Sequence, residues 1–161
     1  MKEIENKFSS LLKTEPEMKL RQKLEMLFDL YKLSSSKPKE VKKAPCQEIV
    51  KDKDFSLYDY PVLKTWPNDA GRFITLPLVI TRDPDTGKQN LGMYRMQVFD
   101  SRTTGMHWHA HKVGARHYAA YERLGRRMEA AAVLGGDPVV MYSATAPLPE
   151  DFDEMVFAGF I

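Results

Sequence analysis

The turn sequence DPDTG (Asp83–Gly87) constrains the fold most, because it separates two apolar runs of strand length. A proline early in a turn presets φ, and a glycine at its end tolerates a positive φ. The flanking runs are FITLPLVIT (Phe73–Thr81) and NLGMYRMQVF (Asn90–Phe99), and we expect them to pair as an antiparallel hairpin. Pro77 interrupts the first run. Because proline cannot donate to a ladder, it is expected at a sheet edge or a bulge.

Four further elements are predicted downstream from apolar spacing and turn residues. They are a strand around Gly105–His111, a helix that carries Tyr118, Tyr121, Met128 and Ala132 on one side and ends at Gly135-Gly136, a strand over Pro138–Ala144, and a final helix opened by Pro149, Asp151 and Asp153. Because these strands and helices are mixed along the chain, we expect an α+β fold.

The N-terminal third differs from the rest of the chain in composition and in the spacing of its apolar residues. Apolar residues recur at helical spacing on both sides of Pro16, which predicts two amphipathic helices within residues 1–33. Docking on the protein's own core is favoured over a coiled-coil strip, because the run is short. Residues 34–45 (SSSKPKEVKKAP) are rich in Ser, Pro and Lys and are expected to be a linker to a domain over residues 46–161.

Charge, cysteine content and the length of the apolar runs narrow the classes of protein to which the chain could belong. The chain has 24 Lys and Arg against 22 Asp and Glu, a net charge of +2, which argues against a nucleic-acid-binding protein. A single cysteine, Cys46, fits a reducing compartment, and we expect a cytoplasmic protein. No apolar run approaches the roughly 20 residues of a membrane-spanning helix.

Three histidines form the densest group of potential ligands. In an extended strand His107, His109 and His111 would project from one face and could hold a metal such as zinc, although the same spacing arises where a strand borders a polar cleft. His117 follows and is expected to be a cap or a surface residue. Arg95 lies in a run that looks buried, so it needs an anion, either a structural acid or a ligand.

Taken together, four segments resemble the UbiD-type carboxy-lyases. They are TWPNDAGRFITLPLVITRDPDTGKQNLGMYRMQVFD (Thr65–Asp100), TTGMHWHAHKVGARH (Thr103–His117), LGGDP (Leu134–Pro138) and ATAPLPEDFDEMVFAGF (Ala144–Phe160). The resemblance implies part of a split β-barrel of the flavin-reductase type. It also implies decarboxylation, sometimes reversible, of aromatic or α,β-unsaturated acids with prenylated FMN, as in the polyprenyl-hydroxybenzoate decarboxylase of ubiquinone synthesis.

The resemblance also implies a divalent metal site, usually occupied by manganese, that bridges to the flavin phosphate. Asn90 and Glu154 match the family's Asn and Glu ligands. His111 is assigned to the position of the family's His ligand, and Lys112 is the alternative residue for that position. The asparagine, carboxylate and phosphate oxygens are hard ligands that suit Mn²⁺ or Mg²⁺. A potassium ion is expected nearby.

Flavin-contacting positions follow from the same resemblance. The matching residues are Met93, Tyr94, Arg95, His107, Trp108, His109, Lys112 and Val113. Arg95 matches the catalytic arginine, which would orient the substrate carboxylate through two parallel hydrogen bonds. Val113 stands where the family more often has glycine, a departure that bears on the approach to the phosphate.

The family's catalytic glutamates lie downstream of the metal-binding glutamate and have no counterpart in these 161 residues. We therefore expect this polypeptide to be a portion of a carboxy-lyase and to be inactive alone. The alternative is a non-catalytic flavin-binding module or small subunit complemented by another chain. A flavin prenyltransferase as cofactor source and a homo-oligomeric full-length enzyme are implied as well.

Overall fold

The computed structural model describes residues 37–149 and 152–161 together with Arg21 and Tyr31. Apart from Arg21 and Tyr31, both predicted N-terminal helices lie outside these residues, and so does the start of the predicted linker. The described elements are short 3₁₀ turns at Pro45–Gln47 and Leu57–Asp59, strands β1 (Arg72–Ile74), β2 (Leu78–Arg82), β3 (Gln89–Met93), β4 (Met96–Val98), β5 (Thr104–Met106) and β6 (Ala131–Val133), and helices α1 (Val113–Arg123), α2 (Pro138–Ser143) and α3 (Glu154–Phe160).

The strands form two antiparallel three-stranded sheets, in the orders β1-β4-β5 and β3-β2-β6. The predicted hairpin is confirmed, with Val79 opposite Gly92 and Thr81 opposite Asn90. Each arm of the hairpin, however, changes sheet partway along its length. The buried Pro77 lies in the gap between β1 and β2, so it marks a change of sheet and not the expected edge or bulge.

The turn between β2 and β3 is held by the side chain of Asp83. Its Oδ1 atom accepts the backbone N–H groups of Asp85 and Thr86, both at 2.8 Å. Gly87 closes the turn at a φ of +72°, a value that costs a glycine little and other residues more. The expected positive φ at Gly87 is therefore confirmed, whereas the role of the Asp83 side chain is added by the structure.

Three predicted elements differ from the structure. The third strand ends at Met106, so the histidine segment that follows lies in a loop. Helix α1 ends at Arg123, and Ala131–Val133 pairs with β2 as strand β6 instead of extending the helix to Gly135. Pro138–Ser143 is a helix, because Pro138 occupies its first turn and the Asp137 side chain accepts the Val139 N–H.

Helix α3 begins where the acidic opening turn predicts it. Asp153 caps it by accepting the N–H groups of Met155 and Val156, at 2.7 and 3.4 Å. Phe157 is buried on its inner face and contacts the ring of Tyr142 on α2. A second apolar cluster of Val79, Tyr94 and Met96 joins the two sheets where β3 passes into β4, and Trp108 packs against it.

Candidate functional site

A cavity of about 770 Å³ opens beside β3. Residues 88–94, 111–113, 144–149 and 152–154 line it, along with Asp83, Thr86, Arg116 and His117. Its size falls within the roughly 300–1,000 Å³ of typical ligand and cofactor pockets. Four segments far apart in sequence therefore meet around one space.

The three predicted metal ligands all line this cavity. Asn90 is buried on β3, Glu154 is the first residue of α3, and His111 lies in the loop before α1. The carboxylate of Glu154 accepts the backbone N–H of Leu91 at 3.0 Å. This bond spans 63 residues and fixes the start of α3 next to Asn90.

The half-buried Glu154 carboxyl has a raised pKa. Burial is the main cause and the charge of Asp153 adds to it, whereas hydrogen bonds from Leu91 and from its own backbone N–H act in the opposite direction. Burial raises the pKa because it removes water from the charged form. A bound cation would relieve that cost, since it supplies the opposite charge.

The predicted flavin-contacting residues divide into two groups. Met93, Tyr94, Lys112 and Val113 line the cavity, while the other four lie outside its lining: Arg95, His107, Trp108 and His109. His109 is exposed and Trp108 is half-buried. The indole Nε1 of Trp108 is buried and, among the described residues, has no hydrogen-bond partner.

Arg95 does not fit the expectation of a buried arginine. It is exposed, and its guanidinium carbon lies 4.8 Å from the centre of the Phe73 ring. Because Arg95 follows the corner between the two sheets, its side chain leaves the core that encloses Tyr94. Burial among the described residues therefore does not require an anion beside Arg95.

The histidine segment adopts a different geometry from the expected strand. The rings of His107 and His109 are 5.3 Å apart and those of His109 and His111 are 5.7 Å apart. The His107 N–H donates to the Arg95 carbonyl at 2.9 Å, just before the chain turns into α1. Across the part of the chain that the structure describes, no three His, Cys, Asp or Glu side chains are arranged to hold a metal.

His117 is the residue whose role the sequence analysis missed. It is buried on α1, neither a cap nor a surface residue, and its Nδ1 lies 2.9 Å from the Thr81 hydroxyl. Its Nε2 lies 3.9 Å from the Asp83 carboxylate. Burial lowers the pKa of His117, while Asp83 raises it and Arg116 lowers it further. No local pattern marks a helical histidine as buried, because the burial comes from contact with β2.

The Asp83 carboxyl is also shifted. Its pKa lies below the ordinary value, chiefly because the backbone N–H groups of Thr86 and Asp85 donate to it. The nearby His117 contributes least to this shift. The turn and the buried histidine are thus joined at one edge of the cavity.

Among the described residues no helix combines the length and apolar character needed to cross a membrane.

Comparison with known proteins gives a consistent result. A family model of the UbiD 3-octaprenyl-4-hydroxybenzoate carboxy-lyase Rift-related domain matches residues 38–161. An uncharacterized protein of Archaeoglobus fulgidus is 57% identical over 125 residues, which make up 77% of this chain and 25% of that protein. The chain therefore spans about a quarter of the length of this relative.

Solved structures of two enzymes superpose on the chain. The UbiD-class enzyme HmfF from Pelotomaculum thermopropionicum in complex with FMN gives a TM-score of 0.71 at 26% identity, over 84% of this chain and 32% of that one. An evolved dimeric form of HmfF in complex with prFMN gives a TM-score of 0.69. Vanillic acid decarboxylase from Sedimentibacter hydroxybenzoicus in closed form gives 0.73 at 28% identity, over 93% of this chain and 33% of that one.

Proposed function

Because the chain belongs to the UbiD carboxy-lyase family, we propose that it is the flavin- and metal-holding portion of a decarboxylase of aromatic or α,β-unsaturated acids. One observation supports this most strongly. Asn90, His111 and Glu154 come from three distant segments and line one cavity of cofactor size. HmfF, which superposes on this chain, binds FMN or prFMN.

The donor set fits a hard divalent cation. The amide oxygen and the carboxylate suit Mn²⁺ or Mg²⁺, which also bind phosphate oxygens readily. An imidazole nitrogen favours a transition metal, so the three donors together fit Mn²⁺ better than Mg²⁺. Asn90 would contribute its amide oxygen, Glu154 its carboxylate and His111 its ring. Met93, Tyr94, Lys112 and Val113 would bind the cofactor beside the cation. When bound, prenylated FMN supplies the electron sink for the electrons that remain after carbon dioxide leaves.

Arg95 would hold the substrate carboxylate. A guanidinium group donates two parallel hydrogen bonds to a carboxylate, which fixes the plane of the acid as well as its position. Its exposed place at the sheet corner leaves room for an acid to approach from outside the cavity. The two sheets, which share one hairpin, would form part of a split barrel within a domain of residues 46–161.

A second candidate function is a non-catalytic flavin carrier or a small subunit of a larger assembly. The observation that favours it is the place of Arg95, which lies outside the cavity lining and contacts Phe73. The two functions share the flavin site and differ only in whether this chain contributes to turnover.

The flavin site is tested by titrating the chain with FMN, with and without Mn²⁺, and following flavin fluorescence. We expect binding that depends on Mn²⁺ and that is weakened at least tenfold by Glu154→Gln or Asn90→Ala. The matched control is Glu122→Gln, an exposed glutamate on α1 that does not line the cavity. FMN binding that does not depend on Mn²⁺ and is unchanged in Glu154→Gln and Asn90→Ala would contradict the proposal.

Catalysis is tested by carbon dioxide release from aromatic and cinnamic-type acids. The chain is reconstituted with prenylated FMN and Mn²⁺, alone and mixed with the downstream portion of a longer relative. In the mixture, we expect Arg95→Lys to lower turnover about a hundredfold, since one lost transition-state contact commonly costs that much. Flavin binding with no turnover in either preparation would favour the carrier.

A further inference from the structure

Tyr94 connects two elements that carry proposed metal ligands. The residue is buried in the core beside Val79. Its hydroxyl oxygen accepts the side-chain amide N–H of Asn90 at 3.4 Å and the backbone N–H of Gly114 at 3.3 Å. Both distances exceed the usual N–H···O range of about 2.7–3.2 Å, so these contacts are weak and matter for geometry more than for energy.

Two glycines make room for the Tyr94 ring and fix its position. A Cβ atom added at Gly92 would lie 2.4 Å from the ring, and one added at Gly114 would lie 3.1 Å from it. Trp108 packs edge-on against the same ring, with the ring centres 6.2 Å apart. The hydroxyl is therefore held at one place by packing on several sides.

The orientation of the Asn90 amide follows from this contact. An asparagine side chain has a donor end and an acceptor end. Because Nδ2 donates to Tyr94, the oxygen is the end left for a cation. The Gly114 N–H donates to the same hydroxyl, which places the first turn of α1, and with it the loop that carries His111, relative to Asn90.

We infer that Tyr94 is a positioning residue of the metal site: it orients the Asn90 amide oxygen and fixes the loop of His111. This inference rests on the proposed function, but it assigns Tyr94 a role beyond contact with flavin. Strand β3, continued by Tyr94, then organises all three proposed ligands. It carries Asn90, holds Glu154 through the Leu91 N–H, and reaches the His111 loop through Tyr94.

The test compares Tyr94→Phe with Tyr121→Phe, a matched removal of one hydroxyl on α1 away from the cavity. Each variant is titrated with Mn²⁺ in the presence of FMN, and its thermal unfolding is measured without either. We expect Tyr94→Phe to weaken Mn²⁺ binding about tenfold or more, in line with the loss of groups that orient ligands. Tyr121→Phe should bind Mn²⁺ with the same affinity as the parent chain.

Three outcomes separate the inference from the proposed function. If the parent chain binds no Mn²⁺ with FMN, the proposed function fails and the inference fails with it. If the parent chain binds and Tyr94→Phe binds equally well, only the inference is overturned. If Tyr94→Phe weakens binding while its unfolding temperature stays close to that of Tyr121→Phe, the positioning role is supported.

A double-mutant cycle covers the case in which Tyr94→Phe also lowers stability. If Tyr94 acts through Asn90, Tyr94→Phe should cause little further loss of Mn²⁺ affinity in a chain that already carries Asn90→Ala. Fully additive losses of Mn²⁺ affinity would overturn the inference. An independent readout needs no metal: the NMR signals of the Asn90 side-chain amide should shift in Tyr94→Phe and stay in place in Tyr121→Phe, and unshifted signals in both would also overturn it.

Discussion

His117 links helix α1 to strand β2, and burial keeps its pKa below the ordinary value. A histidine with a lowered pKa in the folded state binds fewer protons there than in the unfolded chain. Stability is therefore full above the unfolded pKa of about 6.5 and declines as the pH falls below it. The lowered pKa of Asp83 acts in the same direction, but only near and below its ordinary value of 3.8.

We therefore expect the free energy of unfolding to fall between pH 7.5 and 5.5. One histidine can account for at most about 1.4 kcal/mol of this fall, because pH 5.5 lies about one unit below the unfolded pKa. His117→Gln should flatten this dependence, measured by denaturant unfolding at both pH values. The control is His107→Gln, since His107 is exposed. A slope that survives in His117→Gln would assign the titration to another group.

Glu154 has a raised pKa, so its effect on stability has the opposite sign. The unfolded carboxyl ionises at a lower pH than the folded one, so its contribution to stability declines as the pH rises through the interval between the two. Its charge is then a cost in the absence of a cation. Half-buried acids that cost stability are frequent at functional sites.

Glu154→Gln should raise the stability of the metal-free chain at pH 7 by less than about 1 kcal/mol, a value reduced for solvent screening. Glutamine keeps an acceptor for the Leu91 N–H and removes the charge. Thermal unfolding at pH 7 and at pH 4 measures the effect, which should be smaller at pH 4. A large loss of stability would show that the carboxylate serves structure more than binding.

At the scale of elements, two glycines in the same hairpin differ in their reason for being glycine. Gly92 is required by space, because an added Cβ would lie 2.4 Å from the Tyr94 ring. Gly87 is required by its φ of +72°, with no atom within 4 Å of an added Cβ. Overpacking costs about 1–3 kcal/mol, and a positive φ costs a residue other than glycine roughly 1–2 kcal/mol.

Both Gly92→Ala and Gly87→Ala should therefore destabilise the chain, and a second substitution tells the causes apart. Gly87→Asn should recover much of the loss, since asparagine tolerates the left-handed region. Gly92→Asn should lower the free energy of unfolding at least as much as Gly92→Ala does. Unfolding in urea measures all four variants. If asparagine restored stability equally at positions 87 and 92, backbone conformation would be the reason for glycine at both positions.

Elements with local signals were predictable, and those made by tertiary contact were not. The hairpin and α3 carry their own turn and cap residues, Asp83, Gly87 and Asp153. The segment Pro138–Ser143 is rich in valine, which favours strands, but its cap at Asp137 prevails. The strand β6 exists only through pairing with β2, which no local pattern reveals.

The same division holds for the candidate site. Asn90, His111 and Glu154 could be named from their resemblance to a family, but their meeting at one cavity needed the fold. The sequence predicts a buried Arg95 because the run that contains it looks buried. The change of sheet at this point turns its side chain outward, and that change comes from the packing of two sheets.

At the scale of the whole molecule, one hairpin runs through both sheets. Its two arms pair as β2 with β3 in one sheet and as β1 with β4 in the other. The cluster of Val79, Tyr94 and Met96 packs at the place where the chain passes between them. Neither sheet can therefore lose its pairing without exposing apolar side chains of the other.

We expect the two sheets to unfold in a single cooperative transition, as small domains commonly do. The Trp66→Phe variant removes an exposed tryptophan and leaves Trp108 as the reporter beside the shared cluster. Its fluorescence should change at the same denaturant concentration at which the amides of Val79 in β2 and Gln97 in β4 lose protection from hydrogen exchange.

A mutation at the junction between the sheets should shift all three probes together. Met96→Ala serves as this mutation and should lower the free energy of unfolding by about 2–5 kcal/mol. If Val79 and Gln97 lose protection at different denaturant concentrations, the sheets are independent units and the hairpin does not couple them.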